Sequence, residues 1–107
     1  MEELSLRPYN GKLFIARTAK DYERFHEKLF SEPDVLTCGQ EGRFSGGKGK
    51  DDMWTYLVFG KNHHIVVHEL SHVVLHVFER CGIDPIEAKG EPFCYMLSQL
   101  VLDYRQK

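Results

Sequence analysis

Two histidines four residues apart, with a glutamate directly after the first, are the residues of this chain best suited to chemistry. His68 and His72 lie in the apolar stretch IVVHELSHVV, with Glu69 between them. On a helix, residues four apart face the same side one turn apart, so both imidazoles can reach one metal ion. Glu69 is rotated about 100° from His68, which places its carboxylate beside that ion without ligating it. The pattern predicts a zinc site with a neighbouring general base.

The residues around this motif favour a bound cation over an ordinary buried helix. Apart from His68, Glu69 and His72, positions 65 to 74 are all uncharged. Two histidines and a glutamate buried among such residues would each cost free energy unless something paired with them. A divalent cation would satisfy all three together, and we therefore expect one Zn²⁺ ion per chain.

A catalytic zinc also needs a third protein ligand and an open position for water. The pattern H-E-x-x-H-x-x-G-x-x-H is excluded, because Leu75 and Phe78 occupy the positions that it gives to glycine and histidine. The other source is a carboxylate further along the chain, either Glu91 in the predicted last helix or Glu87 in the connection before it. We favour Glu91, because a ligand on a helix is held more rigidly than one on a loop. Cys94 is a weaker candidate.

Two helices are expected to position these groups. The stretch from Asn62 to Gly82 has no glycine or proline before its last residue, and Gly82 suits a helix C-cap. This stretch is apolar on most of its circumference, which predicts a helix central to the domain. A last helix should begin at Glu91, because Pro92 suits the first helical turn.

The N-terminal part of the chain predicts a β-hairpin followed by a helix. Apolar and polar residues alternate on either side of Asn10-Gly11, a dipeptide typical of a tight turn. We expect antiparallel strands at about residues 4–9 and 12–17. Thr18 can cap a helix after them, and that helix should end before Pro33.

Two further strands are expected on either side of a glycine-rich segment. They are DVLTCG, residues 34–39, and MWTYLVFG, residues 53–60. The segment QEGRFSGGKGKDD, residues 40–52, predicts a mobile loop. It is not a phosphate-binding loop, because Gly49 stands where Ser or Thr is required. We expect the strand at 53–60 to offer an exposed edge to which an extended peptide could add.

Composition sets the class of protein. With 107 residues, 42% of them hydrophobic, the chain is expected to form one domain over residues 1–107. A net charge of -2 gives no reason to expect a nucleic-acid partner. No stretch has the length and apolar character of a membrane span or secretory signal. The three cysteines include no C-x-x-C pair, which is typical of a reduced chain, so we expect a cytoplasmic protein.

Residues 62–103 resemble the active-site half of zincin metallopeptidases of the glutamate-ligand class, the gluzincins. The runs HELSHVVLHVFERCGI and EPFCYML are similar to segments of small metallopeptidase-like proteins encoded by bacteriophages and prophages. The resemblance implies His68, His72 and Glu91 as zinc ligands and Glu69 as general base. It also implies a zincin-like α+β fold, in which an antiparallel or mixed sheet of about four strands packs on the motif helix and the last helix, with one N-terminal helix.

The function that this resemblance implies is zinc-dependent hydrolysis of peptide bonds in a specific protein substrate of phage or host origin, in the host cytoplasm. Zinc lowers the pKa of its bound water, and Glu69 takes the proton and passes it to the leaving amine. Tyr95 is the first candidate donor to the tetrahedral oxyanion and His76 the second. Large gluzincins have an aspartate at the position of Tyr95, so the groups that orient the ligands are expected to differ here.

The alternative function is a non-catalytic, zinc-stabilised protein-binding module of a phage or bacterial complex. In that case the ion would hold the two C-terminal helices together. Glu69 favours the enzyme, because a purely structural site needs no base beside the ion.

Overall fold

The computed structural model describes residues 1–106, which form a four-stranded mixed sheet and three α-helices. The strands are β1 (Glu2–Leu4), β2 (Lys12–Ala16), β3 (Gly42–Lys48) and β4 (Trp54–Gly60), and the helices are α1 (Ala19–Phe30), α2 (His63–Cys81) and α3 (Glu91–Gln106). Across the sheet the order is β1, β2, β4, β3. The two central strands are parallel and both outer pairs are antiparallel. The predicted α+β class is confirmed.

Side-chain alternation along β2 and β4 divides the buried residues into two layers, because successive residues of a strand face opposite sides of the sheet. One layer joins the sheet to α2 and α3 and includes Leu13, Ile15, Tyr56, Val58, Val66, Leu70, Val74 and Leu100. The other layer joins the sheet to α1 and consists of Ala16, Tyr22, Leu57 and Phe59. The sheet thus lies between α1 on one face and α2 with α3 on the other.

α2 begins and ends where its sequence predicts. The Asn62 side chain accepts a hydrogen bond from the Ile65 N–H at 3.2 Å. Gly82 caps the other end with a φ of 71°, a left-handed conformation that glycine adopts without steric cost. Although α2 has 19 residues, no helix within residues 1–106 is both long enough and apolar enough to cross a bilayer.

The predicted tight hairpin at Asn10-Gly11 is wrong in its turn, although β1 and β2 are antiparallel. Leu4 pairs with Leu13, so residues 5–11 form the connection. Leu6 is buried in the core within this connection. Pro8 has no N–H to give to a ladder, so the predicted strand could not pair throughout residues 4–9.

The predicted strand at 34–39 and the predicted mobile loop at 40–52 are also wrong. Residues 34–39 have no regular structure, whereas β3 occupies most of the supposed loop. Glycine is needed there because the backbone of β3 comes close to its neighbours. A Cβ atom at Gly46 would lie 2.7 Å from the Tyr56 ring. The glycine-rich composition therefore reflects close packing of a strand.

Candidate functional site

α2 brings His68 and His72 together, as their spacing predicts. Their ring centroids are 5.0 Å apart, with the ring planes at 83° to each other. Both side chains are exposed, so the expectation that they are buried is wrong. The buried face of α2 is filled by valine, leucine and phenylalanine side chains, and the imidazoles lie on the side that no other helix covers. Because both imidazoles are exposed, the free-energy cost of burying them is not an argument for a bound cation.

Glu69 is the buried polar residue of the motif. It is 9% exposed, and within residues 1–106 its carboxylate forms no ion pair. The backbone of β3 passes directly over it, since a Cβ atom at Gly42 would lie 2.8 Å from Glu69 Oε2. Glu69 is thus the least exposed polar residue of the motif, and its carboxylate lies against the strand next to α2.

Phe44 of β3 lies against His72. Its ring lies nearly parallel to that of His72, with centroids 5.9 Å apart, and it is also parallel to Tyr56 at 6.1 Å. The edge of the sheet formed by β3 therefore borders the candidate site, and Phe44 limits the orientations open to the His72 ring.

His76 is held by a partly buried chain of hydrogen bonds. Arg80 Nε donates to the Tyr56 hydroxyl at 2.8 Å, and that hydroxyl lies 2.8 Å from His76 Nδ1. Burial raises the pKa of Tyr56, so its hydroxyl keeps its proton and can donate it to Nδ1. In that arrangement a neutral His76 carries its own proton on Nε2 and is a hydrogen-bond donor there.

α3 lies on the other side of α2 from the histidine pair. Phe93 of α3 meets Phe78 at 6.2 Å between centroids, and Tyr104 stacks on His63 at 5.5 Å. At about 100° per residue, Phe78 and His63 project roughly 120° and 180° around α2 from His72, and roughly 80° and 140° from His68. The two C-terminal helices are therefore joined through a face of α2 that the imidazoles do not share.

The structure does not bring the predicted third ligand to the histidine pair. Glu91 and Glu87 are both exposed. Within residues 1–106, no three His, Cys, Asp or Glu side chains come together in a way that could hold a metal ion. Tyr95 is 66% exposed and lines a hollow with Arg7, next to β1 and at the opposite edge of the sheet from β3. The arrangement thus favours His76 over Tyr95 as a donor close to the site.

The prediction that the strand at 53–60 offers an exposed edge is wrong, and β3 is the outer strand on this side of the sheet. β4 lies between β2 and β3, so both of its sides are paired. The Lys61 N–H donates to the Glu41 carbonyl at 2.7 Å, which makes Glu41 and Lys61 a hydrogen-bonded pair. Because such pairs alternate along an antiparallel ladder, the odd-numbered residues of β3 bond to β4. Phe44 and Gly46 therefore direct their N–H and C=O groups to the free edge.

No protein-family model, curated protein or solved structure matches this chain. The likeness of residues 62–103 to gluzincins stays a prediction from the sequence. What the chain does has to be inferred from its own residues and their arrangement.

Sequence reasoning missed the residues that attach β3 to α1. Arg43 binds both carboxylate oxygens of Asp34, at 3.0 and 3.1 Å, and Tyr22 donates to the same carboxylate at 2.7 Å. Burial opposes the charged form of Asp34, but the hydrogen bonds from Tyr22 and Arg43 outweigh it and lower its pKa. Burial raises the pKa of Tyr22 to about 12. The alternation of Arg43 and Ser45 with the apolar or small residues between them was the available strand signal.

Proposed function

We propose that this chain is a zinc-dependent hydrolase of peptide bonds, with His68 and His72 as metal ligands. The observation that supports this function best is the combination of two adjacent imidazoles with Glu69, which is 9% exposed and has no ion-pair partner within residues 1–106. Histidine is a preferred zinc ligand, and the donor pair fits that ion. Bound zinc would supply a water molecule with a pKa of about 7 and would polarise the substrate carbonyl.

Glu69 would move the proton. Its carboxylate lies beside the ligand pair, where it can take a proton from the attacking water and give it to the leaving amine. The β3 backbone at Gly42 lies close to this carboxylate and limits the space around it. A general base in such a place interacts more strongly with charge that develops in the transition state.

His76 would donate a hydrogen bond to the tetrahedral oxyanion. Its half-buried ring is hydrogen-bonded to Tyr56 through Nδ1, and with Tyr56 as the donor Nε2 would carry the proton. A donor whose orientation is set before the reaction costs no reorganisation during it. We propose His76 in place of Tyr95 because Tyr95 lies beside the hollow at the β1 edge.

The substrate would bind as an added strand along β3. Phe44 and Gly46 present the free N–H and C=O groups that an extended peptide needs. Phe44 also contacts the His72 ring, so a peptide paired with this residue would pass close to the ligands. Such pairing recognises the main chain, which suits a protein substrate in extended conformation.

The third ligand would be Glu91, recruited by a change in the connection before it. Ala88 and Lys89 have φ angles of 52° and 59°, in the left-handed region that disfavours residues other than glycine. Holding a residue other than glycine in this conformation costs of order 1–3 kcal/mol of folding free energy. A rearrangement of this connection that relieves the strain would therefore be less costly than one starting from relaxed backbone.

The test is zinc content together with peptide hydrolysis. We expect one zinc ion per chain in the wild type, loss of zinc in His72→Ala, and retention of zinc with loss of hydrolysis in Glu69→Gln. Zinc is measured by mass spectrometry of the purified protein, and hydrolysis by peptide fragments released from an unstructured peptide library. The matched control is His64→Ala, an exposed histidine on the same helix. Hydrolysis that survives in Glu69→Gln at the wild-type rate would exclude Glu69 as general base and so the proposed mechanism.

A non-catalytic, zinc-stabilised binding module is the second candidate, and it would remain if zinc were bound without hydrolysis. An ion that fastens α2 to α3 is less well supported, because these helices meet through Phe78, Phe93 and the His63–Tyr104 stack. The exposure of His68 and His72 instead suits an ion shared with a ligand from a partner protein.

A further inference from the structure

A hollow of about 470 Å³ lies along the second half of β3, towards the end of α1. Its strand wall is formed by residues 44–48 and its helix wall by His26, Phe30 and Glu32. Gly47 opens into free space, because a Cβ atom there would meet nothing within 4 Å. Gly47 and Ser45 alternate with Phe44, so they face α1, whereas Phe44 faces α2. The hollow is therefore separate from the histidine side of the sheet.

The helix wall of this hollow attracts positive charge. The His26 and Phe30 rings are 4.8 Å apart and present aromatic surface. His26 Nδ1 lies 2.7 Å from the Glu32 carbonyl. A carbonyl can only accept, so Nδ1 donates this hydrogen bond and the orientation of the ring is fixed by it. The C-terminus of α1 at Phe30 adds a partial negative charge.

Two charged residues line the hollow, Glu32 and Lys48, and they differ in whether their charge already has a partner. The exposed Glu32 carboxylate forms no ion pair within residues 1–106. Asp34 and Arg43 neutralise each other through two hydrogen bonds. Lys48 points to the other face of the sheet, with its ammonium 5.0 Å from the centre of the Trp54 ring.

We infer that this hollow receives a basic side chain, lysine or arginine, of the extended peptide that pairs with β3. This rests on the proposed function, because it takes the peptide at β3 to be the substrate. Alternate side chains of an added strand face the α1 side. A cation there would meet Glu32 and the π faces of His26 and Phe30, which attract it. The substrate class is therefore an extended segment with a basic residue at one position.

The experiment measures binding of two fluorescein-labelled peptides to the Glu69→Gln protein by fluorescence anisotropy. Both peptides alternate serine and valine, and the central residue is lysine in one and norleucine in the other. We expect the lysine peptide to bind about three- to fivefold more tightly, as a partly exposed cation with one carboxylate and two rings should. Each measurement is made with zinc and with a chelator.

Two variants locate the effect. Glu32→Gln should make the two affinities equal, whereas Glu27→Gln, an exposed glutamate of α1 outside the hollow, should keep the difference. Gly47→Phe should fill the hollow and weaken binding of both peptides, and Gly47→Ala should not. Thermal unfolding of each variant checks that the fold is kept.

The inference would be overturned if the lysine and norleucine peptides bound equally well to the protein with an unaltered hollow, or if neither peptide bound. It would also be overturned if the preference for the lysine peptide persisted in Glu32→Gln. These results are independent of zinc content and hydrolysis. A lysine preference that is the same with zinc and with chelator would uphold the hollow as a basic-residue site even if zinc hydrolysis failed its own test.

Discussion

At the scale of single residues, the spacing of His68 and His72 was enough to predict their proximity but not their exposure. Four-residue spacing fixes the separation of two rings on any helix. Exposure depends on which side of α2 the chain covers, and that is set by distant contacts such as Phe78 with Phe93. The same holds for Glu69, whose cover comes from β3.

Gly42 sets the distance between β3 and Glu69. A Cβ atom there would lie 2.6 Å from Ile65 and 2.8 Å from Glu69 Oε2, and relieving that overlap should cost about 1–3 kcal/mol. We therefore expect Gly42→Ala to lower the free energy of unfolding by this amount, measured by urea denaturation. The control is Gly47→Ala on the same strand, which should stay within about 0.5 kcal/mol of the wild type. If Gly42→Ala and Gly47→Ala lowered the free energy of unfolding equally, β3 would not be in close contact with Glu69 at Gly42.

Tyr22 should make the protein less stable at alkaline pH. Burial raises its pKa from 10.0 to about 12, so the unfolded chain loses the proton at lower pH than the folded one. The stabilisation is complete below pH 10 and is lost as the pH rises through about 12. At about 1.4 kcal/mol per pKa unit, the loss should reach roughly 2–3 kcal/mol.

Urea denaturation across this pH range tests the role of Tyr22. The gap in unfolding free energy between the wild type and Tyr22→Phe should narrow as the pH rises. Tyr95→Phe, which alters a largely exposed side chain, should keep the alkaline loss seen in the wild type. A gap that stays constant with pH would mean that the Tyr22 hydroxyl does not titrate as its burial suggests.

At the scale of elements, the helices were predictable because their ends are marked by local residues. Thr18 accepts a hydrogen bond from the Asp21 N–H, and Asn62 and Gly82 cap α2. β3 was missed because Gly42 and Gly46 read as loop residues, and they are required by rings and carboxylates that belong to other elements. Such pairing partners cannot be found from local sequence alone.

The alternation of hydrogen bonds along β3 can be tested with proline. Gly47 donates its N–H to β4, whereas the N–H of Lys48 faces the free edge. Gly47→Pro should therefore lose a ladder hydrogen bond and cost about 1–3 kcal/mol more than Lys48→Pro, in urea denaturation. If Lys48→Pro cost more than Gly47→Pro, the odd-numbered residues of β3 would face the free edge. The N–H and C=O groups of Phe44 and Gly46 would then be bonded to β4 and could not pair with a peptide.

At the scale of the whole molecule, the sheet divides the surface into two unlike edges. The β1 edge is approached by α3 and the segment that follows β1, whereas the β3 edge is free and borders the histidines, Glu69 and the hollow at the end of α1. The order of the strands produces this asymmetry. It could not be read from the sequence, because the parallel pairing of β2 with β4 joins segments that are some forty residues apart.

The different surroundings of the two sheet edges lead to a prediction for Glu91 as a zinc ligand. It opens α3, on the side of α2 away from His72, so it can become a ligand only if the strained connection at Ala88 and Lys89 changes. If that happens, Glu91→Gln should weaken zinc affinity by at least about tenfold, since a ligand is lost, while Glu87→Gln should leave it unchanged. Competition with a chromogenic zinc chelator measures both. Equal zinc affinity in the wild type and Glu91→Gln would leave His68 and His72 as the chain's own ligands, and a partner or substrate would have to complete the site.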